Sequence, residues 1–194
     1  MTVIETHPLE PFLPADAKVL MLGSFPPPQT RWKMQFYYPN YQNDMWRIFG
    51  SCFFNDALHF IDCQHKGFLE QNIRTFLTQH GIAIFDTAYQ VQRLQQNASD
   101  KFLQVVTATD LHQLLHQLPK CQHVMTTGDK ATQMVLEQAG ESMLKMKMGE
   151  VRSICLAERS LNLYRLPSSS RAYPLALQKK AQIYRTAFHQ MRLL

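Results

Sequence analysis

The 194-residue chain contains no run near the ~18–20 consecutive apolar residues that a membrane-spanning helix requires, which excludes a helical membrane protein. Its opening, MTVIETHPLEPF, has neither a basic start nor an apolar core, so a cytosolic location without secretion is expected. Cysteine is sparse and scattered: Cys52, Cys63, Cys121 and Cys155 form no C-x-x-C pair and no zinc-spaced cluster with histidine. That pattern argues against a disulfide framework, an iron–sulfur site or any metal, and predicts buried or semi-buried thiols that behave as small hydrophobes. There is no repeat, no low-complexity tract and no G-x-S-x-G elbow, and nothing ties a histidine to the serine run at 168–170. A serine-hydrolase reading therefore has little support.

What is present suits one domain over residues 1–194, large enough to bury a core of helices on a sheet. Net charge is +5, and it is unevenly placed. Residues 141–194 carry Lys145, Lys147, Arg152, Arg159, Arg165, Arg171, Lys179, Lys180, Arg185 and Arg192 against only Glu141, Glu150 and Glu158. The remainder is slightly acidic. Such asymmetry fits a polyanion partner, although a solvated basic face would look the same.

Four short apolar runs read as buried strands: KVLMLGSF (18–25), GIAIFDTA (81–88), HVMTTGDKA (123–131) and LNLYRLPSSS (161–170). Helical spacing falls between and after them, at 43–53, 66–80, 109–118, 129–140 and 174–194. The alternation predicts an α/β, three-layer αβα sandwich with a central, mainly parallel, four-stranded sheet. In such a sheet the loops after the strand ends form the ligand crevice, so Phe25, Asp86, Thr127 and Leu166 should mark one rim. The stretch from Gly23 to Trp46 is far more apolar and aromatic than a connecting loop needs, which predicts that it walls a site, with Arg31 and Lys33 facing phosphates.

GSFPP after the first run, YYPNYQNDMW, GIAIFDTA and LPSSSRA stand in that order over roughly residues 18–188. Together they resemble the uracil-DNA glycosylase superfamily, most closely its hypoxanthine-DNA glycosylase branch, with G-S-x-P-G, Y-Y-x-x-x-x-N-x-x-W, G-I-A-x-x-D and L-P-S-x-S-x-A. The resemblance implies a monofunctional DNA glycosylase of base excision repair: an N-glycosyl hydrolase that needs no cofactor, binds damaged DNA and acts as a monomer. A noncatalytic damaged-DNA binding module on the same fold is the alternative.

The resemblance also implies roles. Gly23, Ser24 and Phe25 would form the base-binding floor, with Tyr38 as the stacking aromatic and Asp86 as the reader of the base edge. As a carboxylate, Asp86 would accept an N–H of a deaminated base. Phe25 stands where related enzymes carry a water-activating Asp or Asn, which moves the catalytic assignment to Asn43; Asn43 also suits a helix N-cap. Leu166 replaces a base-contacting His or Asn. Ser168, Ser169, Ser170, Arg171 and Lys33 would hold DNA phosphates, though a serine run can be just a loop. Pro27 and Thr127 replace a glycine and an amide of the family pattern.

Overall fold

A computed structural model describes residues 3–94 and 102–194. In chain order the elements are β1 (Ile4–Thr6), β2 (Val19–Gly23), a 3-10 turn (Gln29–Arg31), α1 (Met45–Phe54), β3 (Ile61–Asp62), β4 (Gly67–Phe68), α2 (Glu70–His80) and β5 (Ile82–Asp86). There follow β6 (Ala88–Arg93), β7 (Leu103–Ala108), α3 (Leu111–His116), β8 (His123–Thr127), α4 (Asp129–Gln138), β9 (Val151–Leu156), β10 (Arg159–Leu166) and α5 (Leu177–Gln190). All four expected strands and all five expected helices are among them.

The main sheet has the order β5-β2-β8-β10-β9, so it has five strands rather than the four expected. The first four run parallel to their neighbours, and β9 is antiparallel to β10. The sequence hid β9 because it is an edge strand with alternating exposure, and because its hairpin turns through Ala157 and Glu158, both at positive φ (53° and 58°). Neither residue is the Asn or Gly that usually announces such a turn.

β2 and β5 are buried at every position. Successive strand residues face opposite sides, so both faces of the sheet are covered, and the continuous apolar runs follow from that. α2 packs on β5, α4 on β8, and α1 runs along α5, which reaches β10. Trp46, Phe49, Phe36 and Tyr37 anchor the core at 0–2% exposure. Each such side chain contributes about 1.5–3 kcal/mol by burial. Phe36 and Tyr37 thus belong to the packing, so the aromatic wealth of the 23–46 stretch serves the core as well as a site wall.

A second, antiparallel sheet, β1-β6-β7, was not anticipated. The chain passes from β5 through Thr87 straight into β6, and Thr87 donates twice to the Gly23 carbonyl, from N (2.9 Å) and Oγ1 (3.0 Å). This stitches the small sheet to the C-terminal rim of the large one. At that rim Gly23 pairs with Asp86 and Leu166 with Thr127, which brings the loops after all four parallel strands to one end.

Candidate functional site

Those loops enclose a cleft of about 770 Å³. Gly23, Ser24, Phe25, Tyr38, Asn43, Asp86, Leu166, Ser168, Ser169, Ser170 and Arg171 all line it, together with Thr127 and Gly128. Of the residues singled out from sequence, Lys33 alone is not on the lining; it is exposed, and its backbone N–H donates to the Pro39 carbonyl beside the cleft. Arg31, Lys130 and Arg165 are the basic residues that join Arg171 on the wall.

The floor is built by close approach. A methyl group on Gly23 would stand 2.4 Å from Asp86 Oδ1 and 3.2 Å from Tyr38 Oη, so only glycine leaves room for both. Asp86 ends β5 at 5% exposure, and its Oδ2 lies 3.0 Å from Nε2 of His7. Among the described residues Oδ1 has no hydrogen-bond partner and faces the cleft over Gly23. One oxygen of Asp86 is anchored, and the other is available to a ligand.

Tyr38 is held at both ends of its ring. Its hydroxyl shares a 2.9 Å hydrogen bond with Thr127 Oγ1, and its ring stands T-shaped against Trp46 with the centroids 6.2 Å apart. Its backbone sits at φ 53°, a left-handed conformation that costs a tyrosine on the order of 1 kcal/mol and tends to persist where surrounding structure imposes it at functional sites. Tyr37, its neighbour in sequence, is 2% exposed and donates from Oη to the Glu10 carbonyl at 2.8 Å. Burial, with the Asp86 charge adding to it, pushes the Tyr37 phenol far above its ordinary range. Both tyrosines line the cleft, and Tyr38 is the less buried of the two.

Asn43 precedes α1 by two residues, and its Oδ1 accepts the Met45 N–H at 2.9 Å. The residue immediately before the helix is Asp44, whose side chain makes no cap hydrogen bond. Asn43 thus satisfies a first-turn donor while also lining the cleft, which fixes its amide and directs its chemistry toward donation from Nδ2.

Asp44 is turned to a different purpose. Its Oδ1 accepts from Arg171 Nε (2.9 Å) and its Oδ2 from Lys180 Nζ (3.2 Å). Lys180 is completely buried and also donates to the Ser170 carbonyl at 2.8 Å, while the Asp44 N–H donates to the Ser169 carbonyl. The serine loop is thereby tied to α1 and α5. Within it, Ser168 Oγ accepts from Ser170 N and Ser170 Oγ from Ala172 N, each at 3.2 Å. These hydroxyls build the turn, and their hydrogens remain to be donated into the cleft.

The basic C-terminal third is accordingly less of a surface than its composition suggests. Lys180 is internal. Arg159 donates to the Leu115 and Leu118 carbonyls at the end of α3, and Arg185 to Ser51 O and Asn55 Oδ1 at the end of α1. These cations complement helix C-termini, where carbonyls lack partners. Arg165 pairs with Asp129 at 3.0 Å, and Arg171 with Asp44 while still half-exposed.

Two features elsewhere bear on the chemistry. Burial pushes the Cys52 and Cys121 thiols up to about 11, which removes both as nucleophiles, whereas Cys63 and Cys155 are exposed and depart from the buried or semi-buried expectation. Among the described residues no group of three or more His, Cys, Asp or Glu is arranged to hold a metal ion, and no helix is long and apolar enough to cross a membrane.

His7 is the site residue that sequence reasoning missed. It lies 79 positions from Asp86, and only the pairing of β1 with β6, extended by the His7 N–H donating to the Tyr89 carbonyl, brings it there. No local pattern in THPLEPF signals it. Asp44 and Lys180 were hidden for the same reason, being 136 residues apart.

The fold has a solved counterpart. The solution NMR structure of a candidate uracil DNA glycosylase from Methanosarcina acetivorans superposes with a TM-score of 0.64, covering 98% of this chain and 99% of that one at 20% sequence identity. At that identity the likeness defines the fold alone: the chain shares the α/β architecture of that structure over nearly its whole length. The sequence has no significant match to a protein-family model or to a curated protein.

Proposed function

We propose that the chain is a single-domain, monofunctional DNA glycosylase that hydrolyses the N-glycosidic bond of a deaminated base, with the hypoxanthine-DNA glycosylase branch as its nearest kin. The observation that carries this reading is one cleft, at the C-terminal rim of the parallel sheet, in which Tyr38, Asn43, Asp86 and the 168–171 loop meet. The whole-length likeness to a candidate uracil DNA glycosylase supports it.

A glycosylase takes its nucleotide out of the stack, grips the base and lets a water replace it on the sugar. In this cleft the base would stack on Tyr38, a contact worth about 1–3 kcal/mol whatever the base. Asp86 Oδ1 would accept the ring N–H that uracil, hypoxanthine or xanthine presents on its pairing edge. Water oxygen bonds to C1′, the C1′–N bond breaks with its electron pair going to the base, and the water proton is lost to solvent. With Phe25 where an acid or amide would activate that water, the barrier is lowered mainly by stabilising charge. Asn43 Nδ2 serves as donor to the reacting groups, and the cations on the wall, Arg31, Lys130, Arg165 and Arg171, hold the flanking phosphates.

The test is a panel of duplexes and single strands, each carrying one uracil, hypoxanthine or xanthine, incubated with purified protein and resolved before and after alkali. The reading predicts alkali-dependent cleavage at the lesion and none without alkali. Tight binding of lesion DNA with no cleavage from any of them would instead favour the binding module, a reading kept in view by the apolar Phe25.

A further inference from the structure

The anchoring of Asp86 carries a consequence for which bases the cleft accepts. His7 has no exposed side-chain surface, and its ring is enclosed by Phe25 (5.4 Å), Phe85 (4.6 Å) and Tyr37 (6.2 Å). Its Nδ1 lies 2.8 Å from the Leu9 carbonyl and 3.2 Å from the Leu9 N–H, so the ring is fixed from behind whichever of the two it engages. Its Nε2 faces Asp86 Oδ2 at 3.0 Å.

Two proton placements satisfy this geometry: Nε2–H donating to an ionised carboxylate, or a protonated Oδ2 donating to Nε2. Both leave the same atom at the cleft. Oδ1 carries no proton in either case, so toward a ligand it can only accept. Without His7, Oδ2 would lose the partner that fixes it, and nothing would keep a donor off the oxygen that faces the cleft.

We infer that His7 is a positioning residue that makes Asp86 an obligate single acceptor, and thereby selects bases with a hydrogen on the ring nitrogen of the pairing edge. Uracil and hypoxanthine present that hydrogen; cytosine and adenine present a lone pair, which would confront Oδ1. The inference rests on the reading of the cleft as a base pocket and goes beyond it by assigning the selectivity to a histidine outside the cleft wall.

The experiment measures affinity for non-cleavable 2′-fluoro nucleotides placed opposite an abasic analogue, so that extrusion breaks no base pair. Uridine is compared with cytidine, and inosine with adenosine. Wild-type protein should favour the ring N–H member of each pair by about tenfold or more, the size of one buried hydrogen bond against an unpaired acceptor. His7→Gln, whose amide can still donate to Oδ2, should keep that ratio, and His7→Leu should bring it near one. His7→Phe, which refills the aromatic enclosure without a ring nitrogen, should do the same, and it decides the matter if His7→Leu fails to fold. A wild-type ratio near one, or a ratio unchanged by His7→Leu or His7→Phe, overturns the inference. Base release from cleavable uridine and inosine duplexes is followed alongside. No release, together with ratios that respond as stated, refutes excision and upholds the role of His7. Release with unresponsive ratios does the reverse.

Discussion

Two buried aspartates beside the cleft, Asp44 and Asp86, are exposed to nearly the same degree (6% and 5%) and have opposite fates. Asp44 has both oxygens engaged, by Arg171 and Lys180, and serves to hold the serine loop against two helices. Asp86 has one oxygen fixed by His7 and the other directed over Gly23 into the cleft. Burial alone does not separate a fully engaged carboxylate from one with an oxygen open to the cleft. The count of partners does, because a fully satisfied acceptor has nothing left to offer a ligand.

On the proposed function, the largest effect should come from Asn43, which also lines the cleft. Asn43→Ala should lower single-turnover base release about 10²–10³-fold, the usual loss when one transition-state donor is removed, with DNA affinity nearly unchanged. Thermal unfolding must accompany it, since loss of the Met45 hydrogen bond could itself cost ~1 kcal/mol. Release at the wild-type rate would make Asn43 a structural residue like Asp44.

Lys180→Met tests the structural side. It leaves Asp44 buried with only the half-exposed Arg171, and should cost about 3 kcal/mol in urea unfolding, the low end for breaking a buried pair. Stability within 1 kcal/mol of wild type would show that the Asp44 network is dispensable. Gly23→Ala sharpens the comparison from the other direction: the added carbon displaces Asp86 Oδ1, and overpacking of this kind costs about 1–3 kcal/mol. Lesion binding should fall with it, whereas the Asp44 side of the cleft stays intact.

The smallest effect concerns phosphates. Arg31 is exposed on the cleft wall, so Arg31→Gln should lower the slope of log affinity against log salt by about 1. Lys33→Gln, off the lining, should change it less. Equal changes would mean that the DNA path extends beyond the cleft.

The sequence disclosed most of what the parallel sheet determines. Continuous apolar runs ending at Gly23, Asp86, Thr127 and Leu166 fixed four strands and one rim, since strands buried on both faces have a pattern that survives without context. Residues placed by those strand ends, and by the stretch leading into α1, gathered in one cleft as expected. What escaped was set by long-range pairing. β9 is half-exposed and turns through Ala157 and Glu158, so neither its periodicity nor its turn was distinctive. The β1-β6-β7 sheet delivers His7 to Asp86 by register alone. The basic residues of the last third could be counted in the sequence, but whether each would meet a phosphate or a helix C-terminus depended on where its tip arrives. Lys180 arrives inside, and Arg159 and Arg185, both half-buried, arrive at helix C-termini.

The contrast between the two aspartates can be read directly by NMR on protein labelled with ¹³C at aspartate Cγ. Titration with a duplex carrying one non-cleavable 2′-fluorouridine should shift the Asp86 Cγ resonance, as Oδ1 takes up a hydrogen bond, and leave Asp44 in place. An undecorated duplex should move neither. A stationary Asp86, or an Asp44 that shifts as far, would contradict the assignment of the cleft as a base pocket read by one free carboxylate oxygen.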